Sequence, residues 1–184
     1  DNTDPAAGGA LNAWTLGTFG DSAWKEAAGK FGAKRGELAE VSGYMPTVLL
    51  NQYYEENKDI PTYFFRTSVT LENISEITSL SGTFYSDDEA AGYIHGHEVF
   101  SNLSAQPDGD NLYYSGHGQG APEEHEISLS AEECQEYLVE GENVIAVELH
   151  NDRETSSDIY FEFESLYAHR NEVFETVQKS VILM

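Results

Sequence analysis

One cysteine in 184 residues, Cys134, rules out an intrachain disulfide and any zinc cluster built on cysteine thiolates. Cations are scarce as well: nine Lys and Arg stand against 33 Asp and Glu, a formal net charge of -24. A surface that acidic repels the phosphate backbones that nucleic-acid binders neutralise with Lys and Arg, and it repels anionic lipid in the same way. Nucleic acid and membrane are therefore excluded as partners, while divalent cations, neutral glycans and basic proteins stay open. No apolar run approaches the roughly 18 residues that a spanning helix needs. The opening DNTDPAAGGA has no apolar signal core, as expected of a mature chain. Catalytic signatures are missing too: there is no HExxH, no GxSxG and no Cys–His pair with suitable neighbours. The run SGHGQG at 115–120 lacks both the Walker lysine and the GxGxxG spacing, which removes it as a phosphate loop.

What is present is a globular composition, 40% hydrophobic with 12% aromatic residues, on a chain long enough for one well-buried core. Short alternating segments recur between turn-rich stretches, the pattern of an antiparallel sandwich. In 62–71 (TYFFRTSVTL) Tyr63, Phe65, Val69 and Leu71 share one face, and Arg66, Ser68 and Thr70 take the other. In 143–150 (NVIAVELH) Ile145, Val147 and Leu149 point inward, and in 158–166 (DIYFEFESL) Ile159, Phe161 and Phe163 do. His95-Gly96 sits where a two-residue hairpin turn is expected between strands in 92–100, with Gly supplying a positive φ. Helix is limited to one or two short pieces. Ser130 with Glu133 three residues on forms a capping box ahead of 131–138, and a helical turn is predicted around 22–28. The long stretches 32–61 and 101–126 read as loops of the kind that are either functional or poorly ordered. The expected organisation is one all-β domain over 1–168. Residues 169–184 are expected to be a linker followed by the apolar first strand (QKSVILM) of a second domain.

The segments 19–25 (FGDSAWK), 61–66 (PTYFFR), 86–100 (SDDEAAGYIHGHEVF), 141–151 (GENVIAVELHN) and 156–166 (SSDIYFEFESL) occur in an order that resembles the galactose-binding-like jelly-roll domains attached to secreted bacterial enzymes. These domains are often grouped with carbohydrate-binding modules. The segments 31–36 (FGAKRG), 47–53 (TVLLNQY) and 111–120 (NLYYSGHGQG) are similar to the version that precedes purple-acid-phosphatase-type metallophosphoesterases. The resemblance implies an all-β jelly-roll β-sandwich and a secreted, non-catalytic module. Its partners would be a glycan or polysaccharide and an adjacent domain of the same polypeptide. It also implies a structural calcium held from the first and last strands, for which Asp21 and Asp158 are the candidates.

The residues themselves offer two further sites, each with a plainer reading beside it. Asp87 and Asp88, adjacent at a strand end, supply the hard oxygen ligands that calcium takes, or else they bond turn N–H groups. The pair is similar to the calcium-holding Asp-Asp of lectin domains related to anthrax protective antigen, which have Gly where this chain has Glu89. Tyr44, Tyr53 and Tyr54 in the first long loop, with Tyr113 and Tyr114 in the second, could stack on sugar rings while His117, Asn151 and Arg153 bond hydroxyls. The alternative is that the tyrosines pin the loops to the sandwich. His95 and His97 read as surface hairpin residues, and Trp14, Trp24 and Phe31 as packing.

Overall fold

The computed structural model describes residues 3–7, 9–104, 110–171, 173–176 and 181–183, the last two segments by backbone alone. Two main sheets account for most of the strands. The first runs in the order β1 (Lys25–Ala27), β14 (Val181–Leu183), β6 (Thr62–Leu71), β11 (Gly141–His150), β8 (Glu89–Ile94) and β9 (His97–Ser101). The second runs β10 (Glu123–Ser130), β7 (Ile77–Asp87), β12 (Asp158–Arg170), β2 (Phe31–Lys34) and β3 (Val48–Leu49), with β13 (Val173–Thr176) also paired to β12. A small hairpin, β4 (Tyr53–Glu55) with β5 (Lys58–Asp59), stands apart. Pairing is antiparallel throughout these sheets except between β2 and β3. Among the described residues no helix is long and apolar enough to cross a membrane.

The alternation in the sequence sets the core. Tyr63, Phe65, Val69 and Leu71 of β6 and Ile145, Val147 and Leu149 of β11 meet Phe31, Phe84, Ile159, Phe161 and Leu166 of the opposite sheet in one cluster. Phe65 stacks on Phe161 across the gap with ring centroids 4.2 Å apart. Burial of rings this size contributes roughly 2–3 kcal/mol each, which makes this the main favourable term in the fold. Phe163 packs only at the edge of the cluster, because a bulge between Phe163 and Ser165 re-phases β12 and turns Leu166 inward.

The outer face of the first sheet departs from the alternation. Phe64 and Arg66 of β6 and Ala146, Glu148 and His150 of β11 are buried as deeply as their inward neighbours. The N-terminal segment covers Phe64 and Arg66: Trp14, at the end of the 3₁₀ helix Leu11–Thr15, packs edge-on against Phe64 (5.0 Å) and Tyr93 (5.8 Å), while Tyr113 stacks over His150 and the Tyr93 hydroxyl donates to Glu148. Arg66 fixes that segment. Its Nε donates to Asp21 Oδ2 at 2.9 Å, its guanidinium bonds the carbonyls of Trp14 and Leu16, and it lies over the rings of Phe19 and Trp24.

The local signals behave as their chemistry requires. Ser130 caps α1 (Ala131–Tyr137) with the reciprocal Glu133 bond, which seats Cys134 and Leu138 in the core. His95 and Gly96 make the β8–β9 turn with φ of 50° and 92°. The φ of 92° is what favours Gly at position 96, where a Cβ would also displace the tip of the Leu16 side chain, 2.6 Å away. The helical turn expected around 22–28 is instead β1, because pairing with β14, over 150 residues away, overrides local preference. The apolar segment 181–183, expected in a following domain, pairs with β6 and β1 of this sheet, and β12 runs past the boundary at 168 to Arg170.

Candidate functional site

Where β1 approaches β3 and the β4–β5 hairpin, the surface sinks into a cleft of about 370 Å³. Trp24 and Tyr53 supply aromatic walls, Leu49 and Leu50 an apolar floor, and Lys25, Asn51 and Gln52 the polar groups. Each wall is held from behind. Trp24 packs edge-on against Phe19 at 5.8 Å and under the Arg66 guanidinium. Tyr53 lies on Gly36, whose added Cβ would stand 2.9 Å from the ring, while Gln52 Oε1 accepts from the Gly36 N–H at 2.7 Å. Gln52 is itself buried and donates to Asp59 Oδ2 at 2.9 Å. The cleft thus combines two partly exposed aromatic side chains with the exposed Asn51, while the Gln52 amide is engaged by Gly36, Asp59 and the Ser156 carbonyl.

The expected tyrosine platform is thus divided. Tyr53 reaches the cleft, and Tyr54 and Tyr114 meet beside it, their hydroxyls donating to Glu154 (3.4 Å) and to the Asp59 carbonyl (2.6 Å). Tyr44 lies between Tyr85 and Tyr160, each 5.5 Å away, and Tyr113 stacks on buried His150 at 4.2 Å, so these two pin loops. Asn151 is wholly buried and donates to the Ile60 carbonyl, and Arg153 is tied to Asp152. His117, largely exposed, bonds the Ser104 hydroxyl through Nδ1, and the same hydroxyl donates to Glu89 at 2.7 Å. The imidazole therefore does not stand between serine and carboxylate as a nucleophilic relay requires. Trp24, read from sequence as packing, turns out to be half wall and half anchor. Only the strand pairing of β1 reveals this, and no local signal in FGDSAWK does.

A second constellation lies at the end of β7. Asp87 and Asp88, joined by a cis peptide, are buried, and Asp88 accepts from the N–H groups of Gln119 and Asp152 at 2.7 Å each. Burial, then the Asp88 charge and hydrogen bond, then Asp158 and Asp152, push Asp87 up to about 8. Asp59 is pushed up to about 6, chiefly by burial, with Asp152 and Asp158 adding to it. The candidates Asp21 and Asp158 do not combine: Asp21 is bound to Arg66, and Asp158 lies on the other sheet with Lys34 at 3.4 Å. Among the described residues no three His, Cys, Asp or Glu side chains form a metal cradle. A cation at Asp87–Asp88 would therefore have to combine carboxylate with amide oxygen. Such oxygens are at hand. Asp59 Oδ1, Asn151 Oδ1, Asp152 Oδ1 and Gln119 Oε1 are buried and accept no hydrogen bond, a donor set that fits calcium.

No protein-family model and no curated protein matches this chain.

Proposed function

We propose that the chain is a non-catalytic, glycan-binding ancillary module of a secreted bacterial enzyme, on a sandwich of the galactose-binding-like jelly-roll type. The observation that carries this reading is the Trp24–Tyr53 cleft. Sugar rings present apolar C–H faces that stack on aromatic side chains, and hydroxyls that bond amides such as Asn51. In support of a binding rather than a catalytic role, no carboxylate is among the described residues that line the cleft, and the Ser104–His117–Glu89 contact lacks relay geometry. A structural calcium belongs to the proposal: Asp87, Asp88, Asp152 and Asn151 would hold it, and its charge would offset that of the clustered carboxylates.

The test is affinity electrophoresis across neutral and acidic soluble polysaccharides with calcium present. Retardation that is lost in Trp24→Ala and kept in Tyr44→Phe supports the reading, and absence of retardation across the set refutes it. A second reading, a spacer that docks on the catalytic domain of a multidomain metallophosphoesterase, draws on the exposed apolar side chains Met45 and Leu49 around β3. It predicts no retardation by any glycan, with Met45 and Leu49 protected from labelling in the longer protein.

A further inference from the structure

The described lining of the cleft departs from the acidic bias of the chain. Acids outnumber bases 33 to 9 along the chain, yet among the described residues that line the cleft there is no Asp or Glu and there is Lys25, with Asp59 behind the wall on Gln52. Arg35 is exposed one residue before Gly36, which lines the cleft, and it acts on the Tyr53 phenol in opposition to the larger influence of Asp59. Among the described residues, Lys30, Lys34, Lys58, Arg66, Arg153 and Arg170 each have a carboxylate within 4 Å. Lys25 and Arg35 have none. Of the two cations without a carboxylate within 4 Å, Lys25 thus lines the cleft and Arg35 adjoins it through Gly36.

This distribution has a physical consequence. In a chain this acidic, a surface cation readily finds a carboxylate, and such exposed pairs contribute little to stability. Two cations with no carboxylate within 4 Å, beside two aromatic side chains, supply positive charge that folding itself does not use. A neutral sugar has no need of it. A sugar bearing an anionic substituent would meet Arg35 as a planar two-point donor and Lys25 as a point charge, with its ring on Trp24 or Tyr53. The net charge of -24 repels such a ligand at long range. At physiological ionic strength that repulsion is screened beyond about 8 Å, and the contact pairs dominate.

Building on the glycan reading, we propose that the cleft selects an acidic glycan, one whose sugar units carry carboxylate groups, through Lys25 and Arg35. Binding is then strongest for uronic-acid oligosaccharides and weakens as salt rises from 0.15 to 0.5 M. The experiment is isothermal titration of the full chain with oligogalacturonide, with a neutral galacto-oligosaccharide of the same length, and with dextran sulfate as a source of sulfate rather than carboxylate. We expect oligogalacturonide to bind at least tenfold more tightly than the neutral chain. Lys25→Gln/Arg35→Gln should erase that preference, and Lys30→Gln, which removes a cation paired with Glu162, should leave it intact. Both altered residues are exposed, so an unchanged melting temperature confirms that the variant is folded. Equal binding of neutral and acidic oligosaccharides, or a preference that survives the double substitution, overturns the acidic selectivity while leaving glycan binding in place. Tighter binding of dextran sulfate than of oligogalacturonide overturns the carboxylate assignment. Failure of every glycan to bind overturns both readings.

Discussion

Arg66→Met is the sharpest perturbation of the link between fold and cleft. The guanidinium is 3% exposed and serves Asp21, two backbone carbonyls and two ring faces at once. Methionine keeps much of the stem volume but no donor. Removing one partner of a buried ion pair costs about 3–5 kcal/mol, because the other is left uncompensated. Asp21 is 29% exposed and can regain some water, which sets the expectation at the lower end, about 3 kcal/mol. For a domain of this size that is a fall in Tm of roughly 9 °C. Asp21→Asn keeps an accepting oxygen and leaves the carbonyl and ring contacts, but it takes the carboxylate from a guanidinium that is 3% exposed, so its cost should be of the same order, about 3 kcal/mol. Urea titration followed by tryptophan fluorescence reads both effects, since Trp14 seats the segment on the sheet and Trp24 lies in the cleft wall. Weaker glycan retardation should accompany the loss, through a Trp24 that is no longer held. A Tm within 2 °C of the parent for Arg66→Met, or no loss of stability in Asp21→Asn, would refute the account of Arg66 as the anchor.

The Asp87 carboxyl makes stability depend on pH in a stated direction. Its folded value near 8 lies above the ordinary 3.8, so its contribution is complete below about pH 4 and is lost as pH rises toward 8. Asp59 acts in the same sense only up to about pH 6, whereas His125, lowered to about 4 by burial, favours folding as pH rises to about 6.5. In EDTA, stability should therefore fall between pH 6.5 and 8 by up to about 2 kcal/mol, and Asp87→Asn should flatten the curve; a decline of the same size in that variant would sink the assignment. Calcium at one hundred times its dissociation constant should raise stability by about 2.7 kcal/mol at pH 7.5, and superimposable melts in calcium and EDTA would remove the cation from the acidic cluster. Ser130→Ala should lower stability by about 1 kcal/mol through loss of the cap on α1, read by urea denaturation; no change in midpoint would mean that packing of Cys134 and Leu138 alone holds the helix.

The inward faces of β6, β11 and β12, the turn at His95-Gly96 and the cap at Ser130 were legible in the sequence, because period-two alternation, a positive-φ glycine and a reciprocal side-chain cap are local chemistry. The charge that argues against nucleic acid is likewise a matter of composition alone. Tertiary structure decided the rest. Arg66, Glu148 and His150 read as a solvent face until the N-terminal segment closes over Arg66 and Tyr113 over His150, a cover made by contacts 52 and 37 residues apart. Of the five loop tyrosines, Tyr44 and Tyr113 became packing and Tyr53 a cleft wall, according to which rings and carbonyls long-range pairing placed beside them. Trp24 joined the cleft only because β1 pairs with a strand from the far end of the chain. The isolation of Lys25 and Arg35 from carboxylates is of the same kind, since a cation's partners are set by neighbours in space.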